Sequence, residues 1–508
     1  MRRASGRGKK AIMVQGTGSG VGKSLLAAAL CRILYEDGLR VAPFKGQNMS
    51  LNSFVTREGG EMGRAQVVQA QAAGVEPQVA MNPVLIKPEQ DARSQVVVLG
   101  RPWKTLNAAD YYRHTPALWD TVARCLDSLM CSYDVVVIEG AGSPAEINLR
   151  RFEIVNMRVA AHAQAPVLLV GDIDKGGVFA SLFGTLKLLE PGERCLVKGL
   201  IINKFRGDIS ILKPGVNTLE ELTRRPVLGV VPYIHDIIIN EEDSIHYISG
   251  QGDVDIAVIH LPRISNSTDF EPLQQEAGVR LRYVSRTSEL GTPDLIILPG
   301  TKSTVADLLH LRECGLAEAI TRAARRGGTP VLGICGGFQM LGRGLNDPHG
   351  VEWQKGGPCP GLGLLSVKTV FETDKSTHQA RGEMVASRGL WGRLRGHVVE
   401  GYEIHMGHTT GEAPPALQVR RRGEESIPHP DGAVDARGRV MGTYLHGIFD
   451  QPGFRHALIQ ELRCRKGLPP GPQSDIPTDE ENYRRLAAVV RESLDMSLLY
   501  RVCGLQWA

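Results

Sequence analysis

Aromatic residues are scarce: Phe, Tyr and Trp make up 5% of the 508 residues. A nucleic-acid surface pairs a long basic stripe with interleaved aromatics, so this scarcity argues against one. No stretch reaches the roughly eighteen consecutive apolar residues of a membrane-crossing helix. A strong excess of one charge is also missing. The 59 Lys and Arg residues stand against 55 Asp and Glu, a formal net charge of +4, and part of that excess sits in the opening "MRRASGRGKK". Such a balance suits small anionic ligands better than a polyanion. The nine cysteines form no CxxC pair and no disulfide-like framework, which fits a reducing compartment. The basic N-terminus runs into "AIMVQGTGSG" without an apolar leader or a cleavage signal, so the expected location is the cytoplasm.

Glycine, by contrast, is abundant at 58 residues, as many tight strand–helix turns require. A chain of this length exceeds one hydrophobic core, and two domains are expected. Apolar runs at 11–15, 134–140, 165–172, 198–204 and 226–232 alternate with helical patterns. That rhythm predicts a mostly parallel sheet with helices on both faces. After a polar passage at 240–253, a second series follows at 254–262, 279–285, 294–300, 330–335 and 440–447. The expected fold class is α/β, with two doubly wound domains. The expected division is a flexible basic arm at 1–10, one domain at 11–245, a second at 253–455, and a Pro-rich loop with a helical segment at 456–508. The stretch 429–442 reads as a hairpin leading into the last strand.

"AIMVQGTGSGVGKSLLAAALCRILYEDG" reads as a strand, a Gly-rich loop and an amphipathic helix. The loop ends in Gly22-Lys23-Ser24, as a phosphate loop does. Thr17 stands where the strict GxxxxGK[ST] spacing wants glycine, and Gly16 lies one residue earlier. Backbone N–H groups over Gly16, Thr17, Gly20, Val21 and Gly22 are expected to converge on phosphate oxygens at a helix N-terminus. Lys23 is expected to reach the outer phosphates, and the Ser24 hydroxyl to ligate Mg²⁺. Glu139, ending the strand 134–140, is the candidate carboxylate for the same ion. Lys45, Gln47 and Asn48 lie at one further strand end, and Asp172, Asp174 and Lys175 at another. Open α/β sheets bind ligands in crevices at such ends. Asn203 is a candidate reader of the nucleotide base, with a loop-capping asparagine as the alternative.

In "TPVLGICGGFQML", Cys335 ends an apolar strand among small residues and precedes a helix. A strained strand-to-helix turn exposes a nucleophile and keeps backbone N–H groups beside it. A helix N-terminus favours the thiolate, and an adjacent imidazole would complete the activation. His446 in "GTYLHGIF" is the candidate base, again at a strand end. The N–H groups of Gly300 and Thr301 in "LPGTKST", with that of Gly336, are candidates for an oxyanion hole.

Together these residues resemble known families. The loop "GTGSGVGKS" is similar to that of dethiobiotin synthetase-like ATPases. "GICGGFQ" matches the nucleophile elbow of class I (triad-type) glutamine amidotransferases, and "LPG" their oxyanion strand. "FKGQNMSLNS", "IEGAGSPAEINL", "DIDKGGVFAS", "GLIINKFRGD", "ISNSTDF" and "GYEIHMG" together resemble the cobyric acid synthase family over nearly the whole chain. That resemblance implies ATP- and glutamine-dependent amidation of the b, d, e and g carboxylates of adenosylcobyrinic acid a,c-diamide in cobalamin biosynthesis. It implies ATP and Mg²⁺ as cofactors, that diamide and glutamine as small-molecule substrates, and a glutamine contact at Gln339. It implies no nucleic-acid or membrane partner. A carboxylate is a poor acyl donor, so an ATP site would phosphorylate it, and ammonia released at Cys335 would attack the acyl phosphate. The alternatives are a cobyrinic acid a,c-diamide synthase, or a P-loop ATPase switch with an inert C-terminal domain.

Two departures stand out. Ordinary triad amidotransferases carry a glutamate two residues after the histidine; here Ile448 occupies that position, a lack the cobyric acid synthase family shares. Glu403 in "GYEIHMG" is a candidate substitute. "INLRRFEIVNMR" places Arg150, Arg151 and Arg158 where the family is more acidic, leaving Glu153 as the acid there.

Overall fold

The computed structural model describes all residues except 1–9, 91–92, 236, 238–251, 354–355, 427, 473–475 and 506–508. Packing divides the chain into two compact units that do not follow it linearly. Met1–Ser50, Met62–Asp243 and Pro477–Ala508 form the first, and Leu51–Glu61 with Ser244–Ile476 form the second. This departs from the expected division in three ways. Residues 51–61 leave the N-terminal unit, and 456–508 is shared between the two units rather than forming one appendage. Lys10, assigned to the basic arm, opens the first strand. The rest of the arm and most of the passage 240–253 lie outside the described residues.

In the first unit, apolar runs become the strands β1 (Lys10–Gly16), β2 (Val41–Phe44), β3 (Val135–Glu139), β4 (Val167–Asp172), β5 (Val197–Phe205) and β6 (Val227–Pro232), all largely buried except the edge strand β6. They form one parallel sheet in the order β6-β5-β4-β1-β3-β2. Strands buried on both faces read as continuous apolar runs, which is why β1, β3, β4 and β5 were legible in the sequence. Helix α1 (Lys23–Glu36) follows β1 and buries Leu26, Leu30, Ile33 and Leu34. Gly38, in the left-handed region at φ 83°, stops it. A smaller sheet of four strands (47–49, 84–90, 93–98, 101–107) had no counterpart among the predicted strands.

The helices Asp479–Ser493 and Met496–Val502 also belong to this unit. Tyr483, Leu486, Val490 and Leu499 join the core around α1. The first of these helices begins with a capping box, Thr478 and Glu481 each bonding the other's backbone N–H. Arg32 of α1, 3% exposed, clamps Glu480 through two bonds of 2.7 and 2.8 Å. A bidentate clamp of this kind fixes orientation as well as charge.

The second unit has its own mostly parallel sheet. Its strands are β7 (Val254–Ile259), β8 (Val279–Val284), β9 (Leu295–Leu298), β10 (Val331–Ile334), then β13 (Ala433–Val434) and β14 (Val440–Thr443), in the order β8-β7-β9-β10-β14-β13. The antiparallel pair β13–β14 is the hairpin expected at 429–442. Between β10 and β13 the chain builds a long antiparallel pair, β11 (Val367–Met384) with β12 (Val398–Gly411). This pair lies in a second sheet whose edge is the short β15 (Leu445–His446). Among the described residues, no helix is long and apolar enough to cross a membrane.

Candidate functional site

The nucleotide side of the chemistry is built at the C-terminal ends of the first unit's strands. Gly22 precedes α1 at φ 95°, a conformation costly for any residue with a Cβ, and a Cβ there would sit 2.1 Å from Asn203 Nδ2. Gly22 provides no side-chain cap, and the first turn of α1 holds no acidic residue. The helix N-terminus is therefore suited to an anion. Lys23 Nζ donates to the carbonyl oxygens of Gly18 (2.7 Å) and Gly142 (3.2 Å), which hold it over the loop.

Glu139 is buried, with 1% exposure, and gathers four side chains. Ser24 Oγ (2.8 Å) and Lys45 Nζ (3.0 Å) donate to its Oε1; Gln69 Nε2 (2.6 Å) and Gln66 Nε2 (3.2 Å) donate to its Oε2. Burial works against its charge, but Lys45 and the hydrogen bonds from Gln69 and Ser24 outweigh it and hold its pKa below the ordinary carboxylate range. An ionised carboxylate beside the loop serine is thus present before any ligand binds.

Asn203 donates from Nδ2 to the Val21 carbonyl at 2.9 Å, bracing the phosphate loop in the manner of the loop-capping alternative. Asp172 pairs with Lys204 (3.2 Å) and Asp174 with Arg206 (3.2 Å). Gln47 accepts from Tyr111, and Asn48 bonds Gln66. Glu153 accepts from the backbone N–H groups of Val155 and Asn156, and Arg150 pairs with Glu190, so the departure at 147–158 is a locally braced loop.

In the second unit, Cys335 sits between β10 and helix α3 (Gly336–Leu341; α2 is Arg64–Ala72 of the first unit) at φ 51° and ψ −110°. This is a strained setting for a residue with a side chain, and such strain gathers at functional sites. Its N–H donates to Thr443 at the end of β14 (2.8 Å), which ties the elbow to the strand leading to His446. His446 is fully buried, and the neighbouring Cys335 thiol is one cause of its raised pKa. A Cβ on Gly336 would lie 3.2 Å from the Thr301 backbone nitrogen, and one on Gly300 2.8 Å from His446 Cε1. Gly300, Thr301 and Gly336 therefore border the same small space as the cysteine and histidine.

The third member is Asp269, which the sequence reading did not single out. Its Oδ2 accepts from His446 Nδ1 at 2.7 Å, and its Oδ1 accepts from the Gly447 N–H at 3.0 Å. With Nδ1 engaged, Nε2 is the ring nitrogen left for the thiol. Burial disfavours the imidazolium, yet the charge and hydrogen bond of Asp269, with those of Cys335, push the His446 pKa up to about 10. Glu403, the candidate substitute orienter, is committed elsewhere, pairing with Arg422 at 2.8 Å. Ile448 is fully buried, so the usual glutamate position faces core here.

Gln339 lies beneath the elbow with its amide fixed at both ends. Thr304 Oγ1 donates to its Oε1 (3.1 Å), and its Nε2 donates to the Tyr444 hydroxyl (3.2 Å). Tyr444 also lines a cavity of about 700 Å³ with His405, Glu403, Arg422 and Asp431. Burial, then the charge of Glu403, raises the Asp431 pKa from 3.8 to about 7, against hydrogen bonds from Thr443 and Tyr444. The folded protein thus keeps this proton to higher pH than the unfolded chain does. The resulting stabilisation is complete below the unfolded value of 3.8 and is lost as pH rises through about 7. Asp431→Asn is expected to be more stable than wild type above about pH 8, by at most about 4 kcal/mol, and close to wild type at the acid end. Parallel melting curves across that range would refute the shift.

Comparison with known proteins agrees with both halves. A family model described as the CobQ/CobB/MinD/ParA nucleotide binding domain matches residues 12–245. One described as the CobB/CobQ-like glutamine amidotransferase domain matches residues 255–454. A cobyric acid synthase from Dehalococcoides mccartyi (strain CBDB1) is 52% identical over 499 residues, covering 97% of this chain and 98% of the relative. The cobyric acid synthase of Moorella thermoacetica is 52% identical, with 98% of each chain covered. That of Sorangium cellulosum is 53% identical over 97% of this chain and 98% of its own.

Proposed function

This chain belongs to the cobyric acid synthase family, and from that premise we propose that it amidates the b, d, e and g carboxylates of adenosylcobyrinic acid a,c-diamide, consuming ATP and glutamine, to give adenosylcobyric acid. It is a glutamine-hydrolysing amidoligase of cobalamin biosynthesis. The observation that carries the reading is the pairing of two chemistries on one chain. One is a Cys335–His446–Asp269 constellation suited to releasing ammonia; the other is a phosphate loop with Lys23, Ser24 and Glu139 suited to activating a carboxylate.

At the first site the Cys335 sulfur attacks the carboxamide carbon of glutamine. His446 accepts the thiol proton and delivers it to the departing ammonia, leaving a thioester that water cleaves to glutamate. The N–H groups of Gly300, Thr301 and Gly336 meet the developing oxyanion, and Gln339 contacts the glutamine. Asp269 holds the imidazole in the tautomer this requires. Asp269→Asn is expected to lower glutamine-supported turnover by at least about 100-fold, read as ammonia release. Turnover within a few-fold of wild type would remove Asp269 from the mechanism.

At the second site ATP transfers its γ-phosphoryl group to the corrin carboxylate, forming an acyl phosphate and ADP. Ammonia then attacks that carbonyl and phosphate leaves, giving the amide. Lys23 and the loop N–H groups bind the phosphates, and Lys45 keeps Glu139 ionised. Two hard oxygen donors, Ser24 Oγ and Glu139 Oε1, lie 2.8 Å apart and suit Mg²⁺, which prefers oxygen ligands and shares them with phosphates. When bound, Mg²⁺ supplies positive charge to the phosphate oxygens.

The deciding experiment is the product mass from adenosylcobyrinic acid a,c-diamide, ATP and glutamine. Four carboxylates exchanged for amides support the proposal. No amidation of the a,c-diamide, with activity on cobyrinic acid instead, would assign the diamide synthase reaction.

A further inference from the structure

We propose that residues 51–61, which lie within the span matched by the nucleotide-binding family model, complete the glutaminase centre, with Asn52 and Phe54 as positioning residues for His446. The proposal rests on the reading of Cys335 and His446 given above.

Two independent contacts carry it. The first runs through the turn that carries Asn266 and Asp269. Asn52 Oδ1 accepts from the Ser267 backbone N–H (3.0 Å), and Asn266 Oδ1 accepts from the Ser53 N–H (2.9 Å). These reciprocal bonds grip the turn at Asn266, which is itself in the left-handed region at φ 54°. The Asn266 amide nitrogen lies 3.4 Å from each ring nitrogen of His446. Three residues further on, the same turn presents both carboxylate oxygens of Asp269 to His446 Nδ1 and Gly447 N.

The second contact runs to the face of the imidazole. The Tyr402 ring stacks on His446 with centroids 5.4 Å apart and planes 17° apart. Phe54 packs on Tyr402 at 5.5 Å and 56°. Val55 is fully buried in the same small cluster with Tyr402 and Ile404, and the Ile404 carbonyl lies 3.6 Å from Cys335 Sγ.

The segment is also anchored along its length. The Val55 carbonyl accepts from Gln379 Nε2 (3.1 Å), that of Gly59 accepts from Thr377 Oγ1 (2.7 Å), and Glu61 forms a buried ion pair with Lys375 (2.5 Å). A general base works only when its ring is held in line with the proton it takes, and displacements of about 1 Å can cost orders of magnitude in rate. Asp269 sets one edge of the ring and Tyr402 one face, and each is backed by residues 52–54.

The test uses the full chain with Asn52→Ala, Asn52→Asp and Phe54→Leu. Three quantities are measured: kcat and KM for glutamine hydrolysis with all substrates present, amidation supported by ammonium, and the pH profile of Cys335 alkylation by iodoacetamide, with Cys335→Ala as the blank. Asn52→Ala and Phe54→Leu should each lower kcat at least about tenfold. KM should stay within about twofold, as for a residue that aligns a base without touching substrate. The alkylation profile should change together with kcat, because a misaligned imidazole no longer assists the thiol. Asn52→Asp, which keeps the acceptor for Ser267, should recover most of the loss. An unchanged kcat and alkylation profile in both Asn52→Ala and Phe54→Leu would overturn the proposal. So would a parallel loss of ammonium-supported amidation in both, which marks a general structural role. Glutamine hydrolysis surviving in Cys335→Ala would instead overturn the reading of Cys335 itself.

Discussion

Cys335→Ala is expected to lower glutamine-supported amidation by at least about 10⁴-fold, the scale seen when a nucleophile is removed from a concerted constellation. Amidation driven by ammonium should continue in the same variant. The asymmetry follows from the division of labour. Cys335 is held on a strained elbow between β10 and α3, and its thiol neighbours a histidine whose proton affinity is raised by Asp269. Those features serve the release of ammonia and nothing downstream of it. Ammonia supplied from solution bypasses them, provided it is present as free base, so the measurement belongs at mildly alkaline pH. Equal loss with both nitrogen sources would sink the two-site mechanism. Alanine is preferred to serine because a hydroxyl retains a weak nucleophile beside His446.

Lys23→Ala should abolish amidation with either nitrogen source, by at least about 10³-fold, in keeping with the removal of a preorganised charge from a phosphoryl-transfer site. Lys23 is 7% exposed and its ammonium donates to the carbonyls of Gly18 and Gly142, so it is already oriented when the nucleotide arrives. Alanine removes the charge and leaves those carbonyls facing the phosphates. Alkylation of Cys335 by iodoacetamide, measured in parallel, should be unaffected and so reports an intact glutaminase site. Full activity without Lys23 would contradict the assignment of the loop.

Most of the parallel strands were legible because they are apolar runs closed by glycine or a polar turn, and Cys335 and His446 because each ends such a run; β2 is too short to stand out, and β8 was legible although it carries two arginines. The β11–β12 pair escaped notice because much of it is only partly buried and alternates poorly. Asp269 was missed for a different reason. It sits in a short 3₁₀ turn after β7 rather than beside the histidine, in a stretch without periodicity. The stretch "ISNSTDF" did stand out, but as a family mark; its Asn-Ser-Thr-Asp content is the signal of a turn that bonds backbone, and a buried Asp in such a turn needs a partner. Residues 51–61 are a short stretch of mixed polar and apolar composition, and nothing in it separates them from the residues around them. Their place depends on partners more than two hundred residues later, which no local pattern encodes.

The docking of Asp479–Ser493 onto α1, with Met496–Val502 against β5 and β6, sets an order of events at the ribosome. Residues that start the nucleotide-binding core emerge first, and those that close it emerge last, with the whole glutaminase sheet synthesised in between. At roughly 5–20 residues per second the interval is on the order of tens of seconds. Throughout it the apolar face of α1 that later receives Tyr483, Leu486 and Val490 stays uncovered, the kind of surface on which nascent chains recruit chaperones.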